Sequence, residues 1–412
     1  MATIKAFRAL RPAPEAAAEV SAVPYDVVNT DEARQMAAGN ALSFLHVSRP
    51  EIDLPDGTDP YSDAVYDKAE ANFKQLRAQA PMLVEGSPSL YIYKLKMGDH
   101  QQTGLAATCS VAEYDGDIIR KHERTRKDKE DDRTRHILSL RAQTGPVFLT
   151  YKAAVGIDKI VNAAQAATAL YDFESPDGIR HTVWKLSDES AEQLATAFAQ
   201  VPLLYIADGH HRAASASRAA AKLKSEQRSN LEGEYNYFLA VLFPSDQVQI
   251  LPYNRTVKDL NGLSEERFLQ AVAERLTVTP GSSPSPSAKG EISLFIGGRW
   301  YGLSHKSVAP NHPEGDDLIS SLDVQVLQDL VLEPILGIKD IRTDKRIDFV
   351  GGIRGTRELE SVVNAGKAAA AFSMFPVTVD DLMAVADAGL IMPPKSTWFE
   401  PKLRDGLLTH LI

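Results

Sequence analysis

Five consecutive residues carry the clearest chemical potential in this sequence: Asp208, Gly209, His210, His211 and Arg212. Their carboxylate, imidazole and guanidinium groups can move a proton, hold a cation or bind an anion. Basic groups in the first turn of a helix oppose the helix dipole, so stability alone would favour acidic residues there. An anion bound at this place would explain the basic residues.

The flanking residues predict a strand, a tight turn and a helix around these groups. Leu203–Ala207 is a short apolar run of strand type, and Asp208 and Gly209 are turn formers. From Arg212 onward, apolar residues recur at helical spacing: Ala213, Ala216, Ala220 and Leu223. The charged groups therefore lie at a helix N-terminus, where unpaired N–H groups and the positive end of the dipole attract phosphate.

Two other interpretations of this turn stay open. Asp208 can cap the helix while both histidines satisfy local hydrogen bonds. A metal site is the weaker alternative, because the side chains of adjacent histidines point apart, whereas zinc ligands are usually spaced along the chain. We assign no metal ligand from the sequence.

The most charged stretch, Arg120–Arg141, has two interpretations as well. Its i,i+4 charge pairs are typical of a solvated helix face. Alternatively, it delivers Glu123 or Asp131 as a proton acceptor to the phosphate turn. In that case His122, Arg124 and Arg133 would contact the negative charge of the phosphate.

Three further clusters are candidate substrate contacts. Each lies beside a proline or at the end of an apolar run, where ordinary turn, loop or C-terminal packing is the alternative. The candidates are Tyr25 and Asp26 in the strand-like run Val23–Val28, Asn254 and Arg255, and Lys395, Ser396 and Thr397.

Composition limits the classes of protein that this chain can represent. Its 412 residues, 44% of them hydrophobic, are enough for a large core. The net charge of −10 repels nucleic acid and anionic lipid, so we expect neither as a partner. Cys109 is the only cysteine, which excludes an intrachain disulfide. With no signal peptide and no apolar run of about 18 residues, we expect a cytoplasmic protein; a homo-oligomer is compatible with the sequence.

The remaining pattern predicts an α+β fold in three parts. Predicted strands include Leu90–Lys96 and Thr103–Val111, which form a hairpin, and predicted helices include Tyr61–Ala80 and Asp316–Leu336, the latter mostly helical. We expect an N-terminal segment at residues 1–89, a core at 90–256, and a C-terminal α/β domain at 257–412 whose tail returns to the core. Gly281–Gly290 is a linker or long loop.

Several strings resemble one family over nearly the whole chain: VPYDVV, SFLHVSRPE, KHERT with EDDRTRH, IADGHHRAASA, LPYNRTVKDL, IDFVGGIRG and MPPKSTWFEPKL. They resemble the bacterial domain-of-unknown-function family numbered 1015. The DGHHR core is in turn similar to the ParB/sulfiredoxin superfamily, which includes the free serine kinases. This likeness implies that residues 90–256 form a ParB/sulfiredoxin-like catalytic core, with additional N- and C-terminal segments.

The resemblance implies a kinase that uses Mg²⁺ with ATP or ADP and acts on a small hydroxyl metabolite such as free serine. By that resemblance Asp208 and His211 would take part in catalysis. Gly209, His210, His211, Arg212 and Arg133 would hold the nucleotide, and an upstream acid, for which we choose Glu123, would activate the hydroxyl. His122 joins the substrate contacts named above.

Two alternatives to a kinase follow from the same residues. A non-catalytic nucleotide- or phosphate-binding regulatory protein would use the anion turn without a base. A ParB-like DNA-associated protein is disfavoured by the acidic chain and the lack of a helix-turn-helix signature. Sulfiredoxin chemistry is disfavoured because Gly209 and His210 stand where those proteins carry a catalytic cysteine.

Overall fold

The computed structural model describes residues 2–79, 82–226, 233–305 and 317–412. Contacts divide the chain into two units. Unit 1 comprises Met1–Lys121, Thr125–Val248 and Pro401–Ile412, and unit 2 comprises His122–Arg124 and Gln249–Glu400. The three-part division at residues 89/90 and 256/257 stays a prediction.

The strands and helices follow one another along the whole chain. The first strands are β1 (Ile4–Lys5), β2 (Ala9–Pro12), β3 (Met82–Val84), β4 (Tyr91–Met97), β5 (His100–Ser110), β6 (Ile119–Arg120) and β7 (Ala142–Gln143). The next are β8 (Val147–Tyr151), β9 (Tyr171–Glu174), β10 (Arg180–Lys185), β11 (Leu204–Asp208), β12 (Tyr237–Pro244), β13 (Gln249–Leu251) and β14 (Tyr253–Val257). The last are β15 (Leu276–Pro280), β16 (Glu291–Ile296), β17 (Arg299–His305), β18 (Ile347–Gly351), β19 (Ala370–Met374), β20 (Trp398–Glu400) and β21 (Thr409–Leu411). The α-helices of unit 1 are α1 (Ala17–Val20), α2 (Thr30–Ala37), α3 (Leu45–Ser48), α4 (Asp63–Gln79), α5 (Val111–Asp115), α6 (Lys127–Leu140), α7 (Val155–Ala164), α8 (Asp188–Phe198) and α9 (His210–Glu226). Those of unit 2 are α10 (Glu265–Arg275), α11 (Asp317–Ser320), α12 (Asp323–Leu327), α13 (Gly355–Asn364) and α14 (Val379–Asp387).

The large sheet of unit 1 is mixed. Its strand order is β6-β11-β8-β12-β5-β4-β10-β9, and β1 pairs with β5. Strand β11 runs parallel to β6 and antiparallel to β8, whereas β12 runs parallel to β8 and antiparallel to β5. Apolar side chains along β12 are buried, as expected for a strand in the middle of a covered sheet. This sheet carries the turn that begins with Asp208.

Helix α9 covers the sheet with a stripe of small residues. The core of unit 1 contains from this helix Ala213, Ala216, Ala219, Ala220 and Leu223. Four of these five form the face predicted from the helical spacing, and small side chains let the helix backbone lie close to the sheet. The packing fixes the N-terminus of α9 beside the end of β11.

A second sheet of unit 1 contains the C-terminal strand. Its order is β3-β2-β21-β7, with β21 antiparallel to both β2 and β7. Asp405 just before this strand exchanges backbone hydrogen bonds with Ala22, at 2.9 and 3.1 Å. These bonds hold residues 401–412 against the N-terminal part of unit 1.

Unit 2 has a sheet of its own, in the order β15-β17-β16-β19-β14-β18, and a separate pair formed by β13 and β20. Adjacent strands are antiparallel throughout. Helix α13 packs Leu359 against Phe295 and Ala371 of this sheet. Gly281–Gly290 is the loop between β15 and β16, which agrees with the loop alternative of the sequence interpretation.

The structure confirms the mixed α and β class and several predicted elements. The predicted strand Leu203–Ala207 is β11, its helix begins two residues earlier than predicted, at His210, and the predicted hairpin is β4 with β5. Ala80 and Asp316, at the ends of two predicted helices, lie outside the described residues. No helix in the part of the chain that the structure describes is long and apolar enough to cross a membrane.

One interpretation of local structure was wrong. The strand-like run Val23–Val28 contains no strand: Tyr25 and Asp26 form a turn, and Pro24 lacks the N–H that a ladder needs. The helix in the charged stretch spans Lys127–Leu140. The prediction that Asp316–Leu336 is mostly helical is confirmed for its described residues, in which α11, α12 and the π-helical turn Gln328–Leu332 follow one another.

Candidate functional site

A β-bulge and a glycine set the direction of the chain at the Asp208 turn. The pairing of β11 with β8 shifts register between Ile206 and Asp208. Gly209 follows with φ +94°, a conformation that favours glycine. A Cβ at this position would lie 3.2 Å from Arg212 Nε and 3.4 Å from Val147 Cα. The turn therefore needs glycine for both its backbone angle and its space.

Asp208 is held between two cations. Its Oδ1 accepts a hydrogen bond from the Gly209 N–H at 2.9 Å. Lys402 Nζ donates to Oδ2 at 3.2 Å, and Arg212 Nη2 lies 3.6 Å from the same oxygen. Burial by itself would raise the pKa of Asp208, but the charges of Lys402 and Arg212 outweigh it and lower that pKa well below its usual range. Asp208 is therefore an anion at neutral pH.

Arg212 is buried and surrounded by acids. Its Nη1 donates to the Pro146 carbonyl, and its Nη2 lies 3.7 Å from Asp26 Oδ2. Burial would lower the pKa of Arg212, but Asp26, Asp208 and Asp405 raise it above its usual value. Its Nε and Nη2 atoms are buried without a hydrogen-bond partner. The guanidinium is thus charge-compensated but not fully hydrogen-bonded.

His211 is an acceptor at the start of α9. Its Nε2 accepts the backbone N–H of Arg126 at 3.0 Å, just before α6. Burial lowers the pKa of His211, which Asp26 and Glu130 partly offset. A neutral ring that accepts at Nε2 carries its proton at Nδ1, so Nδ1–H is the donor left for a ligand. His210 is buried in the same turn.

Helices α6 and α9 are tied together by polar contacts behind the turn. Ser215 Oγ donates to the Glu130 carbonyl at 3.2 Å. Arg218 lies 3.1 Å from Glu130 Oε2 and also pairs with Asp131. Asp131 also pairs with Lys127 at 2.6 Å. The carboxylate of Asp131, one of the two predicted proton acceptors, is thus already paired with two cations, Arg218 and Lys127.

Arg133 is anchored inside unit 1. Its Nε donates to Asp132 Oδ2 at 2.9 Å, and Asp132 Oδ1 accepts from Tyr66 at 2.8 Å. Its guanidinium carbon lies 4.2 Å from the centroid of the Tyr25 ring, a cation–π distance. The structure thus brings Tyr25, Asp26, Arg133 and Asp208–Arg212 into one unit, within a connected set of contacts.

These groups border a cavity. Its volume is about 40 Å³, counted as the space open to the centre of a water molecule. Residues that line it include Tyr25, Arg133, Gly145, Arg212 and Asp405. Burial raises the pKa of Asp405 to about 7, although Arg212 and Arg133 lower it, and its Oδ1 has no hydrogen-bond partner.

The remaining predicted residues belong to unit 2. His122 accepts the Met392 N–H at its carbonyl, at 2.8 Å, and Glu123 is half-buried. Asn254 Oδ1 accepts the Met374 N–H at 3.0 Å. Their predicted roles as substrate contacts and hydroxyl activator stay predictions.

Arg255 and the Lys395–Thr397 segment meet within unit 2. Arg255 is fully buried, and its Nη2 donates to the Lys395 carbonyl at 3.2 Å. Ser396 Oγ donates to the Pro393 carbonyl at 2.6 Å, and Thr397 lies just before β20. The structure brings the two predicted clusters together but leaves their function untested.

Sequence reasoning missed Lys402 and Asp405. Both lie in the segment PKLRD, whose first three residues were noted only as part of a family string. Their distance along the chain from Asp208 hides the contact, because no periodic pattern links a C-terminal lysine to a turn far upstream. The available signal was the charge of the segment itself, in which Lys402, Arg404 and Asp405 lie close together.

Comparisons with known proteins find a family and a limited structural likeness. A family model described as "Protein of unknown function (DUF1015)" matches residues 4–325. No curated protein matches the chain significantly. A free serine kinase in complex with AMP is 14% identical, with a TM-score of 0.35, and the match covers 71% of this chain and 89% of that one.

Two further solved structures are similar to the same extent. A conserved hypothetical protein from Pyrococcus furiosus is 13% identical with a TM-score of 0.34, covering 72% of this chain and 93% of that one. SbnI with a C-terminal truncation from Staphylococcus aureus is 14% identical with a TM-score of 0.38, covering 74% and 87%.

Proposed function

The chain belongs to the family described as "Protein of unknown function (DUF1015)", and from its own site we propose a nucleotide-dependent phosphotransferase that acts on a small hydroxyl metabolite such as free serine. The observation that carries the proposal is the Asp208 turn. There an ionised carboxylate, a lysine and the N-terminus of a 17-residue helix converge after a β-bulge. The same turn carries the D-G-H-H-R sequence that resembles the free serine kinases.

Phosphate groups would bind at the N-terminus of α9. Unpaired backbone N–H groups of the first turn and the positive end of the dipole face an anion there. His211 would add a hydrogen bond from Nδ1–H, since its Nε2 is already an acceptor. Lys402, whose side chain is 12% exposed, would add a positive charge that is only partly screened by water.

Asp208 would hold Mg²⁺ instead of taking a proton. Its lowered pKa makes it a weak base, whereas an ionised carboxylate is the ligand type that Mg²⁺ prefers together with phosphate oxygens. Each carboxylate oxygen has two lone pairs, so the bonds from Gly209 and Lys402 leave room for a cation. Bound there, Mg²⁺ would neutralise charge on the transferred phosphate. Arg212 would keep the Asp208 carboxylate in place.

The transfer step needs a separate proton acceptor. The hydroxyl oxygen of the substrate attacks the terminal phosphorus of the nucleotide, the bond from that phosphorus to the bridging oxygen breaks, and the shortened nucleotide leaves. The hydroxyl proton passes to a carboxylate, for which Glu123 is our choice from the sequence. The resemblance motivates this role.

A nucleotide panel tests the proposal. With Mg²⁺ present, ATP or ADP at millimolar concentration should raise the melting temperature, because a ligand that binds only the folded state stabilises it. Turnover is then followed with L-serine as the acceptor. If ATP, ADP and pyrophosphate all leave the melting temperature unchanged, the proposal is wrong.

Two lysine variants separate the site from general charge effects. Lys402→Met should weaken nucleotide affinity by about tenfold or more, because a charged hydrogen bond contributes about 1.5–3 kcal/mol. Lys159→Met removes an exposed lysine of α7 and should leave affinity unchanged. Equal affinities for both variants would contradict the placement of the nucleotide.

Glu123→Gln and Asp208→Asn distinguish an enzyme from a binding protein. Glu123→Gln should keep nucleotide binding and lower turnover by about 10²-fold or more, as general-base removal does. Asp208→Asn should lower both Mg²⁺-dependent binding and turnover. Nucleotide binding by the unmodified protein without turnover on any small hydroxyl compound would favour the regulatory alternative.

A further inference from the structure

The cavity of unit 1 contains polar atoms that the protein itself leaves unsatisfied. Arg212 is 8% exposed and Asp405 is 2% exposed, and both line the cavity. Arg212 Nε, Arg212 Nη2 and Asp405 Oδ1 are buried without hydrogen-bond partners. Buried polar groups without partners are costly, so a ligand or water that satisfies them is expected.

Arg212 and Asp405 influence one another without touching. Each shifts the pKa of the other, yet no ion pair joins their side chains among the described residues. The space between them is kept open by Gly145. A Cβ there would lie 2.8 Å from Asp405 Oδ1 and 3.5 Å from Arg212 Cδ. A side chain as small as alanine would therefore fill this gap.

The other charged groups around the cavity are already engaged. Arg133 donates to Asp132 and to the Ser48 carbonyl. His136 Nε2 donates to the Val47 carbonyl at 2.9 Å, and burial lowers the pKa of His136 to about 3, so the ring is neutral. The groups left for a ligand are thus the guanidinium of Arg212 and the carboxyl of Asp405.

The shape and size of the cavity limit the ligand. A water molecule needs about 10–15 Å³ by the same measure, so about 40 Å³ holds about three water molecules or one small ligand of similar total volume. Apolar side chains form much of the rest of the lining: Ile137, Val147, Ala216, Phe238 and Leu239. A guanidinium favours a carboxylate, with which it forms charge-assisted hydrogen bonds. The carboxyl group of Asp405 can form a hydrogen bond with a second polar group on the same ligand.

We propose that this cavity binds a small carboxylic acid with a hydroxyl or amino group on the carbon next to its carboxylate. The carboxylate contacts the Arg212 guanidinium and the hydroxyl or amino group contacts Asp405. The inference rests on the proposed function only in so far as the bound acid, or a hydroxyl-bearing relative of it, is the phosphate acceptor. Binding itself requires neither nucleotide nor Mg²⁺.

Three ligands that differ in one group test the proposal on the full-length protein. L-lactate, L-alanine and propionate share a three-carbon acid and carry a hydroxyl, an ammonium or no polar group on carbon 2. Calorimetric titration should give tighter binding of lactate or alanine than of propionate. At about pH 8, where Asp405 is ionised, Asp405→Asn should reduce the advantage of alanine over propionate by about tenfold, the effect of one hydrogen bond between charged groups. The affinity for propionate itself should change less.

Two glycine variants test whether the ligand occupies this cavity. Gly145→Ala should abolish binding of all three acids, because its Cβ enters the space between Asp405 and Arg212. Gly156→Ala is the matched control, since a Cβ there meets nothing within 4 Å. Asparagine has nearly the same size as aspartate, so Asp405→Asn remains informative if Gly145→Ala fails to fold. The control for Asp405→Asn is Asp67→Asn, at an exposed position of α4.

The pH dependence tests the contact between Asp405 and the ligand. Asp405 is faced by Arg212 of α9, Arg133 of α6, Asp26 and its neighbour Arg404. Between about pH 6 and about pH 8 its ionisation should weaken lactate binding by repulsion and strengthen alanine binding by attraction to the ammonium. Both slopes are expected if each acid contacts Asp405, and the acid that binds more tightly at about pH 7 identifies the favoured class. An identical pH slope in Asp405→Asn would overturn the role of Asp405.

The remaining outcomes separate this inference from the proposed function. If none of the three acids binds, or if all three bind Gly145→Ala as tightly as they bind the unmodified protein, the cavity holds water only and the inference is wrong. Preferential binding of inorganic phosphate would also overturn it. Nucleotide binding is measured without any acid, so a protein that binds ATP but no acid retains the proposed function and loses this inference.

Discussion

Two buried arginines, Arg212 in unit 1 and Arg255 in unit 2, meet opposite environments. Three carboxylates raise the pKa of Arg212 although burial opposes its charge. Arg255 is fully buried, and burial lowers its pKa to about 10, with only Tyr253 acting in the other direction. Its guanidinium donates to the carbonyls of Tyr253 and Lys395 instead of to acids.

The difference teaches that burial of a charge has two distinct consequences. Around Arg212 the charges are mutually compensated, so removing one of them leaves others uncompensated. Around Arg255 two carbonyl dipoles and the ring of Phe349, whose centroid lies 5.6 Å from the guanidinium carbon, stabilise the cation in place of carboxylates, so the charge itself is a cost to unit 2. A compensated cluster is rigid and sensitive to substitution, whereas an isolated cation tolerates neutral replacement or awaits an anionic partner.

The largest expected effect comes from replacing each arginine by methionine. Arg212→Met leaves Asp26, Asp208 and Asp405 without their shared cation and should lower the free energy of unfolding by about 3–5 kcal/mol. Arg255→Met removes a charge along with two hydrogen bonds and should cost less than about 2 kcal/mol. Urea unfolding of both variants, followed by a probe in each unit, measures the contrast.

Equal losses for the two variants would break the comparison. Arg212→Lys sharpens it, because lysine keeps the charge but cannot retain the bond geometry to Pro146 and Asp208 together. This variant should recover part of the stability lost in Arg212→Met. No recovery would mean that packing, and not charge, makes Arg212 necessary.

The next largest effect concerns Asp208. The lowered pKa of Asp208 means that its ionised form is stabilised in the folded state, so it stabilises unit 1 above the usual pKa of an aspartate and loses this contribution as pH falls further. Asp208→Asn should cost about 1.5–3 kcal/mol at neutral pH, the value of a hydrogen bond to a charged group. It should also remove part of the stability loss below about pH 4. Urea unfolding at neutral pH and at several acidic pH values, with Asp67→Asn as control, measures both effects. A cost of only a few tenths of a kcal/mol at neutral pH would indicate that Asp208 acts only as a helix cap.

The smallest effect concerns Asp405. Its folded-state pKa of about 7 exceeds its usual value, so the folded state binds the proton more tightly and stability falls as pH rises toward 7. Asp405→Asn should therefore gain about 1 kcal/mol relative to the unmodified protein between about pH 5 and about pH 6. Asp323 of unit 2, whose burial raises its pKa to about 6, contributes in the same range, so the difference between the two proteins is the quantity to measure. A constant difference across this range would contradict the raised pKa.

Much of the site was predictable because it is local. The apolar run before Asp208, the glycine after it and the alanine spacing that follows lie within one short stretch, and each depends on nearest-neighbour backbone preferences. The strand-turn-helix and the buried face of α9 follow from them. The run Val23–Val28 was predicted to be strand-like although it turns at Tyr25 and Asp26, because a proline between apolar residues fits either structure.

The sequence by itself determined the mixed α and β class, the Asp208 turn and the acidic, single-cysteine composition, because these depend on residue type and short-range spacing. Only the tertiary structure decided the charge state of each acid. Asp208 and Asp405 are the same residue type, yet Lys402 pairs with one, while burial without a partner for Oδ1 raises the pKa of the other. Those environments are built by segments far apart in the chain, and electrostatic energy depends on distance in space, which no local pattern encodes.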